Sequence, residues 1–164
     1  MTARPATTPT SPPVQPPTMA DLPRKDRALD YLVNYGITTR DVLNNPNSPQ
    51  AKALNWIANN DAFKMDIPNF SGEGGGTPRG SSYADTRFAE RWALAVFYYS
   101  TGGDKWTYNL NFLKPIDHCD WYSRFITNEG IIRQGVTECQ MFAPKFNGER
   151  VSKIEIGKLL VDFI

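Results

Sequence analysis

The chain has almost no net charge, no long apolar run and only one histidine. The first two of these absences each exclude a class of protein. Eighteen Lys and Arg side chains stand against seventeen Asp and Glu side chains, which gives a formal net charge of +1 over 164 residues. Nucleic-acid binding favours clustered cations on a strongly basic domain, and this composition lacks that excess. No segment approaches the ~18 apolar residues of a membrane-spanning helix. The composition therefore predicts no nucleic-acid partner and no membrane insertion within this chain.

Common catalytic and metal-binding motifs are also missing. No Gly-Lys-Ser or Gly-Lys-Thr follows the Gly-rich stretch, and the chain contains no G-x-S-x-G, H-E-x-x-H or EF-hand pattern. Acidic residues such as Asp85, Glu90 and Asp104 are scattered at predicted helix starts and turns, where Asp more often caps a helix than acts as a catalytic acid. The sequence thus predicts no enzyme, with no catalytic and no cofactor-binding residue.

Composition divides the chain before position 85 into three segments. Segment 1–22 is rich in Pro and Thr and lacks the apolar core of a signal peptide, so it is predicted to be a disordered tail or an O-glycosylated stalk. Segment 23–66 is predicted to hold two amphipathic helices, one ending at Gly36 and one starting with Ser48 as N-cap. Segment 67–84 is predicted to be a flexible Gly-rich loop, and its start carries a candidate N-glycosylation site at Asn69.

The last segment, 85–164, opens with the strongest helical pattern of the chain. Asp85 or Thr86 is expected to cap the helix, and Gly102-Gly103 to end it. Large apolar side chains then recur at spacings of three and four, which places them on one wide stripe: Phe88, Trp92, Ala95 and Tyr99. This pattern predicts a helix buried in a core.

Several short motifs follow this helix in a fixed order: Thr101-Gly-Gly-Asp-Lys-Trp106, then Cys119-Asp-Trp121, then Gly135-Val-Thr-Glu-Cys139, and finally the stretch from Arg150 to Ile156. In order and content they resemble the N-terminal cap of extracellular plant-type leucine-rich repeat proteins. The phrase from Ala93 to Trp106 is similar to the versions found in diatom leucine-rich repeat proteins. The resemblance covers roughly positions 48–156, and it implies a helix that covers the open end of a repeat array.

The same resemblance assigns the start of a first repeat and shows two departures from the family. Val151, Ile154 and Ile156 fall at the L-x-x-L-x-L positions of a repeat strand. Family caps place only a few residues between their two cysteines, whereas twenty positions separate them here, and this extra stretch is expected to be a loop. Leu159 stands where the repeat would have Asn. One repeat begins in this chain and none is completed.

Cys119 and Cys139 are the only cysteines, and their even number fits a disulfide. In the resemblance, such a bridge pins the covering segment to the first strand. Two reduced core thiols and a metal site are the alternatives. Zinc would need four ligands, and the chain offers one histidine, His118, and no C-x-x-C pair, so no metal is predicted. A disulfide implies an extracellular or lumenal location.

The fold class expected from these patterns is mainly α with a short β element: a helical N-terminal part, a leucine-rich-repeat N-terminal cap and one incomplete repeat. The expected function is a non-catalytic capping or interaction module, or an accessory subunit of an assembly. It would dock on downstream repeats or on a protein partner through the apolar end of the chain, namely Leu159, Leu160, Val161, Phe163 and Ile164.

Two other functions remain open at this point. A small carbohydrate-binding or carbohydrate-active protein could use exposed Trp and Tyr side chains, such as Trp106 and Trp121, with the nearby Asp104 and Asp120. An intracellular scaffold subunit would instead keep its two thiols reduced. An exposed aromatic platform distinguishes the first alternative, and the oxidation state of the cysteines distinguishes the second.

Overall fold

The computed structural model describes residues 22–68, 83–141 and 149–156, which form a mixed domain of helices and one small antiparallel sheet. The expected combination of a helical N-terminal part with a β element is present, and the β part is larger than expected. Asn69 and the proposed docking residues at positions 159–164 lie outside the described residues, as does nearly all of the Gly-rich loop. The predictions made for them stay predictions.

Three α-helices, and not two, make up the N-terminal part. They are α1 (Arg24–Asn34), α2 (Arg40–Asn44) and α3 (Pro49–Asn55), and α3 continues into a π-helical turn, Trp56–Asn60. The short α2 occupies a stretch for which the sequence predicted no helix. The fourth helix, α4 (Tyr83–Ser100), packs against α3. None of the described helices combines the length and the apolar character needed to cross a membrane.

Local sequence signals explain where α1 ends and α3 begins. Gly36 adopts φ 68°, and the N–H groups of Gly36 and Ile37 donate to the carbonyls of Val33 and Leu32, each at 3.0 Å. This is a Schellman ending, which favours glycine because the left-handed conformation strains residues with a Cβ. The Ser48 hydroxyl accepts from the Ala51 N–H at 3.0 Å at the start of α3. Both predicted helix boundaries are confirmed.

Helix α4 buries most of the predicted stripe but starts earlier than predicted. Phe88, Trp92 and Ala95 are buried, whereas Tyr99 is only half-buried and Tyr98 takes its place in the core. The prediction that Asp85 or Thr86 caps this helix is wrong, because the helix begins at Tyr83 and both residues lie inside its first turns. The next position on the stripe after Ala95 can lie three residues later, at Tyr98, or four residues later, at Tyr99, because both spacings fit a helix. In this helix Tyr98 reaches the core.

The sheet contains β1 (Tyr122–Thr127), β2 (Gly130–Met141) and β3 (Glu149–Glu155), in that order and antiparallel throughout. The stretch between the cysteines, expected to be a loop, is therefore mostly a β-hairpin. Phe125 and Ile132 pair on its inner side, and Val136 pairs with Ile154 across β2 and β3. Strand β3 coincides with the predicted repeat strand.

One core cluster joins the helices to the sheet. Leu32, Leu54 and Phe88 contribute from the helices, Trp121 stands at the entrance to the sheet, and Val136 contributes from β2. All five side chains are almost completely buried. The sheet is therefore packed on the helical part through its inner face, while its outer face is turned toward solvent.

Candidate functional site

A disulfide and a backbone hydrogen bond join the two segments that carry the cap-like motifs. Cys119 lies in a 3₁₀ turn, His118–Asp120, and is bonded to Cys139 of β2, with their Cα atoms 5.8 Å apart. The predicted disulfide is present, and neither cysteine is free. The Val136 N–H, three residues before Cys139, donates to the carbonyl of Trp121, two residues after Cys119, at 2.8 Å. The reduced-thiol arrangement is therefore contradicted.

Trp121 is a core residue and not a ligand platform. Its side chain has no exposed surface, and its ring centroid lies 5.4 Å from that of Phe112 and 5.8 Å from that of Trp56. Its indole N–H donates to the Lys114 carbonyl at 3.2 Å. A ring enclosed in this way cannot stack on a sugar.

Trp106, the other candidate for a sugar platform, packs inside an aromatic cluster. Its ring centroid lies 5.3 Å from those of both Tyr98 and Phe112, in edge-to-face geometry. Trp56 and Trp92 are buried as well, so none of the four tryptophans of the chain is exposed as a platform. Asp104 and Asp120 are exposed. The tryptophans therefore do not provide the platform that the carbohydrate alternative needs, whereas Tyr108 is 48% exposed.

Asp117, His118 and Cys119 place three possible metal-ligating atoms within 4.8 Å of one another. The sulfur of Cys119 is in the disulfide, so it offers no thiolate. The carboxylate of Asp117 accepts the Cys119 N–H at 2.9 Å and pairs with Arg87. Burial alone would raise the pKa of Asp117, but these two donors outweigh it and hold that pKa below its usual range. The carboxylate therefore fixes the turn that carries Cys119.

His118, the first residue of this turn, is completely buried. Its Nε2 lies 3.5 Å from Glu90 Oε2, and its ring centroid lies 6.4 Å from that of Trp121. Neither ring nitrogen has a hydrogen-bond partner among the described residues. The imidazole thus serves as a packing group between α4 and the 3₁₀ turn.

Sequence reasoning missed the buried ion pair between Arg91 and Asp61. The pair is bidentate, and neither side chain is exposed. The missed signal was Arg91 itself: it lies three residues after Phe88 and four before Ala95, which places a cation on the apolar stripe of α4. A charge at a core position requires a buried partner.

A groove of about 530 Å³ lies between the three N-terminal helices. Its lining combines apolar side chains, such as Leu29 and Leu54, with Lys25, Lys52 and Asp26. No His, Cys, Ser or Thr contributes to its lining, so the groove offers no hydroxyl or thiol nucleophile and no imidazole base.

Strand β3 forms one edge of the sheet and has two unequal faces. On the outer face, Lys153 Nζ lies 3.2 Å from Glu155 Oε1 and 3.9 Å from Glu138 Oε1, so these charges are paired. On the other face, Ile154 is 40% exposed, and Ile156, directly after the strand, is 42% exposed. Within the described part of the chain, β3 pairs with β2 alone. The strand predicted to begin a repeat thus has an open edge beside two incompletely covered isoleucines.

Comparisons of the chain with protein-family models, with curated proteins and with solved structures find no match. The resemblance to leucine-rich-repeat caps therefore rests on the motifs and remains a hypothesis.

Proposed function

We propose that this chain is a non-catalytic capping and interaction module of a leucine-rich repeat protein that works outside the cytosol, either at the start of a repeat array or as an accessory subunit. The open edge of β3 is the surface that receives the next layer of apolar side chains. The observation that carries this proposal is the partial exposure of Ile154 and Ile156, at the positions where the repeat pattern needs buried residues.

The energetics of the edge support a covering partner. A fully buried Ile side chain contributes about 1.5–3 kcal/mol relative to an exposed one, and these two residues gain only part of that within the described chain. Backbone donors and acceptors at a sheet edge can also pair with another strand. Val151, the first apolar position of the pattern, already packs against the core, which ties this edge to the rest of the module.

Other parts of the module have the features expected of a cap. Helix α4 buries its apolar stripe, and the disulfide ties the turn after it to β2. A repeat array needs such a covered end because its terminal coil would otherwise expose one apolar face. The apolar residues at positions 159–164, with Leu159 first, would extend the docking surface into the next repeat or onto a partner.

The disulfide also supports the proposed location, because structural disulfides persist in oxidising compartments. In such a compartment, Asn69 is available as a glycan acceptor within its sequon.

The test is to continue the chain from Ile164 with three consensus leucine-rich repeats in the phase set by Val151. Urea unfolding is then measured for the chain, for the array and for the fusion. We expect one cooperative transition in the fusion and a coupling free energy of about 1–3 kcal/mol, because neighbouring repeats stabilise each other through their interface. The double substitution Ile154→Ser/Ile156→Ser should abolish this coupling.

Lys153→Ser is the matched control, since Lys153 lies on the same strand but on the outer face. It should leave the coupling free energy unchanged. Two independent transitions in the fusion, without any gain over the separate parts, would contradict the capping function.

A further inference from the structure

The outer face of the β1–β2 hairpin carries an exposed stripe of unusual composition. Arg124 pairs with Arg133, and Ile126 pairs with Ile131. Residues that face each other across antiparallel strands share one face of the sheet, so these four side chains are neighbours. Ile126 and Ile131 are 89% and 70% exposed, more than any other large apolar residue described. The stripe begins at Tyr122, which lies on the same face.

The hairpin is held in place, so the exposure is a fixed property of its outer face. On the inner face, the Phe125 ring centroid lies 4.9 Å from that of Tyr108. The side-chain amide of Asn111 donates to the Tyr122 carbonyl at 2.7 Å. At the turn, the Thr127 hydroxyl donates to the Gly130 carbonyl at 2.9 Å. These contacts orient the stripe toward solvent.

The two arginines form a local excess of positive charge. Like charges directly opposite each other destabilise a sheet, and here both guanidinium groups approach the Tyr122 ring, at 5.8 Å for Arg124 and 4.8 Å for Arg133. Among the carboxylates whose side chains the structure describes, none forms an ion pair with either arginine. Lys153, on the outer face of the same sheet, is by contrast paired with Glu155. The stripe therefore lacks the counter-charge that the rest of the outer face has.

We propose that the hairpin stripe, defined as Tyr122, Arg124, Ile126, Ile131 and Arg133, binds an acidic and apolar extended segment of a partner protein. Carboxylates of the partner would bind the two guanidinium groups, because a planar guanidinium can donate two parallel hydrogen bonds to one carboxylate. Apolar side chains of the partner would cover the two isoleucines.

The spacing of the stripe defines the partner sequence more closely. The arginine and isoleucine pairs are two residues apart along each strand, or about 6.6–6.8 Å. An extended partner has its own same-face side chains at that spacing. The matching pattern is therefore Asp or Glu, any residue, then Leu, Ile or Val.

Charge at the turn favours a protein partner over a membrane surface. Glu129 lies at the tip of the hairpin, where it would oppose insertion among anionic headgroups. The isoleucines lie on the outer face of the hairpin, in the pair before its closing pair, Thr127 and Gly130. This surface is separate from the β3 edge, so its test is independent of the capping function.

The experiment titrates the full disulfide-bonded chain with a synthetic peptide of sequence Asp-Ser-Leu-Ser-Asp-Ser-Leu, followed by two-dimensional amide NMR. Two control peptides carry Lys in place of Asp, or Ser in place of Leu. We expect saturable shifts of the amide signals of residues 122–134 with the first peptide, and much weaker shifts with both controls. Affinity should fall as the salt concentration rises.

Variants then identify the groups responsible. Arg124→Gln/Arg133→Gln and Ile126→Thr/Ile131→Thr should each weaken binding by about tenfold or more, which corresponds to loss of a charge-assisted contact or of apolar cover. Lys153→Gln, on the same outer face, should bind as the unmodified chain does. The substituted side chains are exposed, and amide spectra of the free variants verify that they are folded.

Three results would overturn the proposal: equal binding of the Lys peptide, binding unaffected by both double variants, or shifts confined to β3. The last measurement is the binding of the chain to anionic phosphatidylserine vesicles. Arginine-dependent binding to vesicles, without binding to the acidic peptide, would assign the stripe to a membrane surface and reject a protein partner.

Discussion

Arg91 and Asp61 form a bidentate ion pair with no exposed surface, in which Nε lies 2.7 Å from Oδ2 and the terminal Nη2 lies 2.7 Å from Oδ1. In addition, Nη1 donates to the Ile116 carbonyl and Nη2 to the Lys114 carbonyl. The guanidinium carbon also lies 4.6 Å from the centroid of the Trp121 ring. Helix α4, the end of the N-terminal helices and the loop before the disulfide turn are thus joined through one side chain.

Removal of one partner from this pair should strongly destabilise the fold. Asp61→Ala leaves the Arg91 charge buried and unpaired, and we expect a loss of about 3–5 kcal/mol in the free energy of unfolding, measured in urea. Arg91→Lys should also lower the free energy of unfolding, because an ammonium group cannot form the two parallel hydrogen bonds that the guanidinium donates. The exposed pair Arg40–Asp30 is the control, and Arg40→Ala should cost no more than about 1 kcal/mol. Equal losses for the two pairs would contradict this account.

Gly135 should tolerate no side chain. It adopts φ 111°, and a Cβ there would meet the backbone carbonyl of Trp121 and lie 2.8 Å from the Tyr122 Cα. Gly135→Ala should therefore cost at least about 2 kcal/mol, through backbone strain combined with a clash that a side-chain rotation cannot relieve. Gly36→Ala also has a positive φ but open space around the Cβ, and should cost only about 1–2 kcal/mol. Thermal or urea unfolding of both variants measures the two losses in stability.

Two buried tryptophans should respond differently to replacement by Phe. The indole N–H of Trp92 has no acceptor among the described residues, whereas that of Trp121 donates to the Lys114 carbonyl. Trp121→Phe should therefore cost about 1 kcal/mol more than Trp92→Phe, because it also loses a hydrogen bond. Trp92→Ala should cost about 3–5 kcal/mol through cavity formation. Identical effects of the two Phe substitutions in urea unfolding would count against this assignment.

Loss of the disulfide should lower stability by about 3 kcal/mol, because it closes a loop of 20 residues in the unfolded chain. The measurement compares urea unfolding of the oxidised chain with that of Cys119→Ser/Cys139→Ser. Alkylation without reductant, followed by mass spectrometry, should detect no free thiol in protein from an oxidising compartment. Quantitative labelling of both cysteines in the folded chain would contradict the pairing.

Asp117 should make stability depend on pH in the acid range. Its pKa is lowered in the folded state, so its contribution is fully present above the unfolded value of about 3.9 and is lost as the pH falls through the folded pKa. The stability difference between the unmodified chain and Asp117→Asn should be constant above about pH 5 and shrink below pH 4. Arg87→Gln should weaken this dependence without abolishing it, because the Cys119 N–H remains. A difference independent of pH from 6 to about 2 would contradict the assignment.

Local signals were enough to predict several features of this protein from its sequence. The Ser48 cap, the ending at Gly36 and the buried positions Phe88 and Trp92 each depend on residues within one or two helical turns. The disulfide was predictable because the chain has only two cysteines. The position of the repeat-like strand was expected from the resemblance, which puts Val151, Ile154 and Ile156 at the apolar positions of a repeat strand.

Only the tertiary structure decided the rest. The hairpin between the cysteines mixes Arg, Ile and Gln, and its strands were identified only by their pairing with each other. The burial of Arg91 depends on its ion pair with Asp61, which lies 30 residues away in the sequence and is indicated by no local pattern. The half-burial of Tyr99 and the exposure of Ile126 likewise depended on what packs beside them. The physical reason is common to all of them: propensity and capping act between neighbours in sequence, whereas strand register, buried charge pairs and solvent exposure are properties of contacts between distant segments.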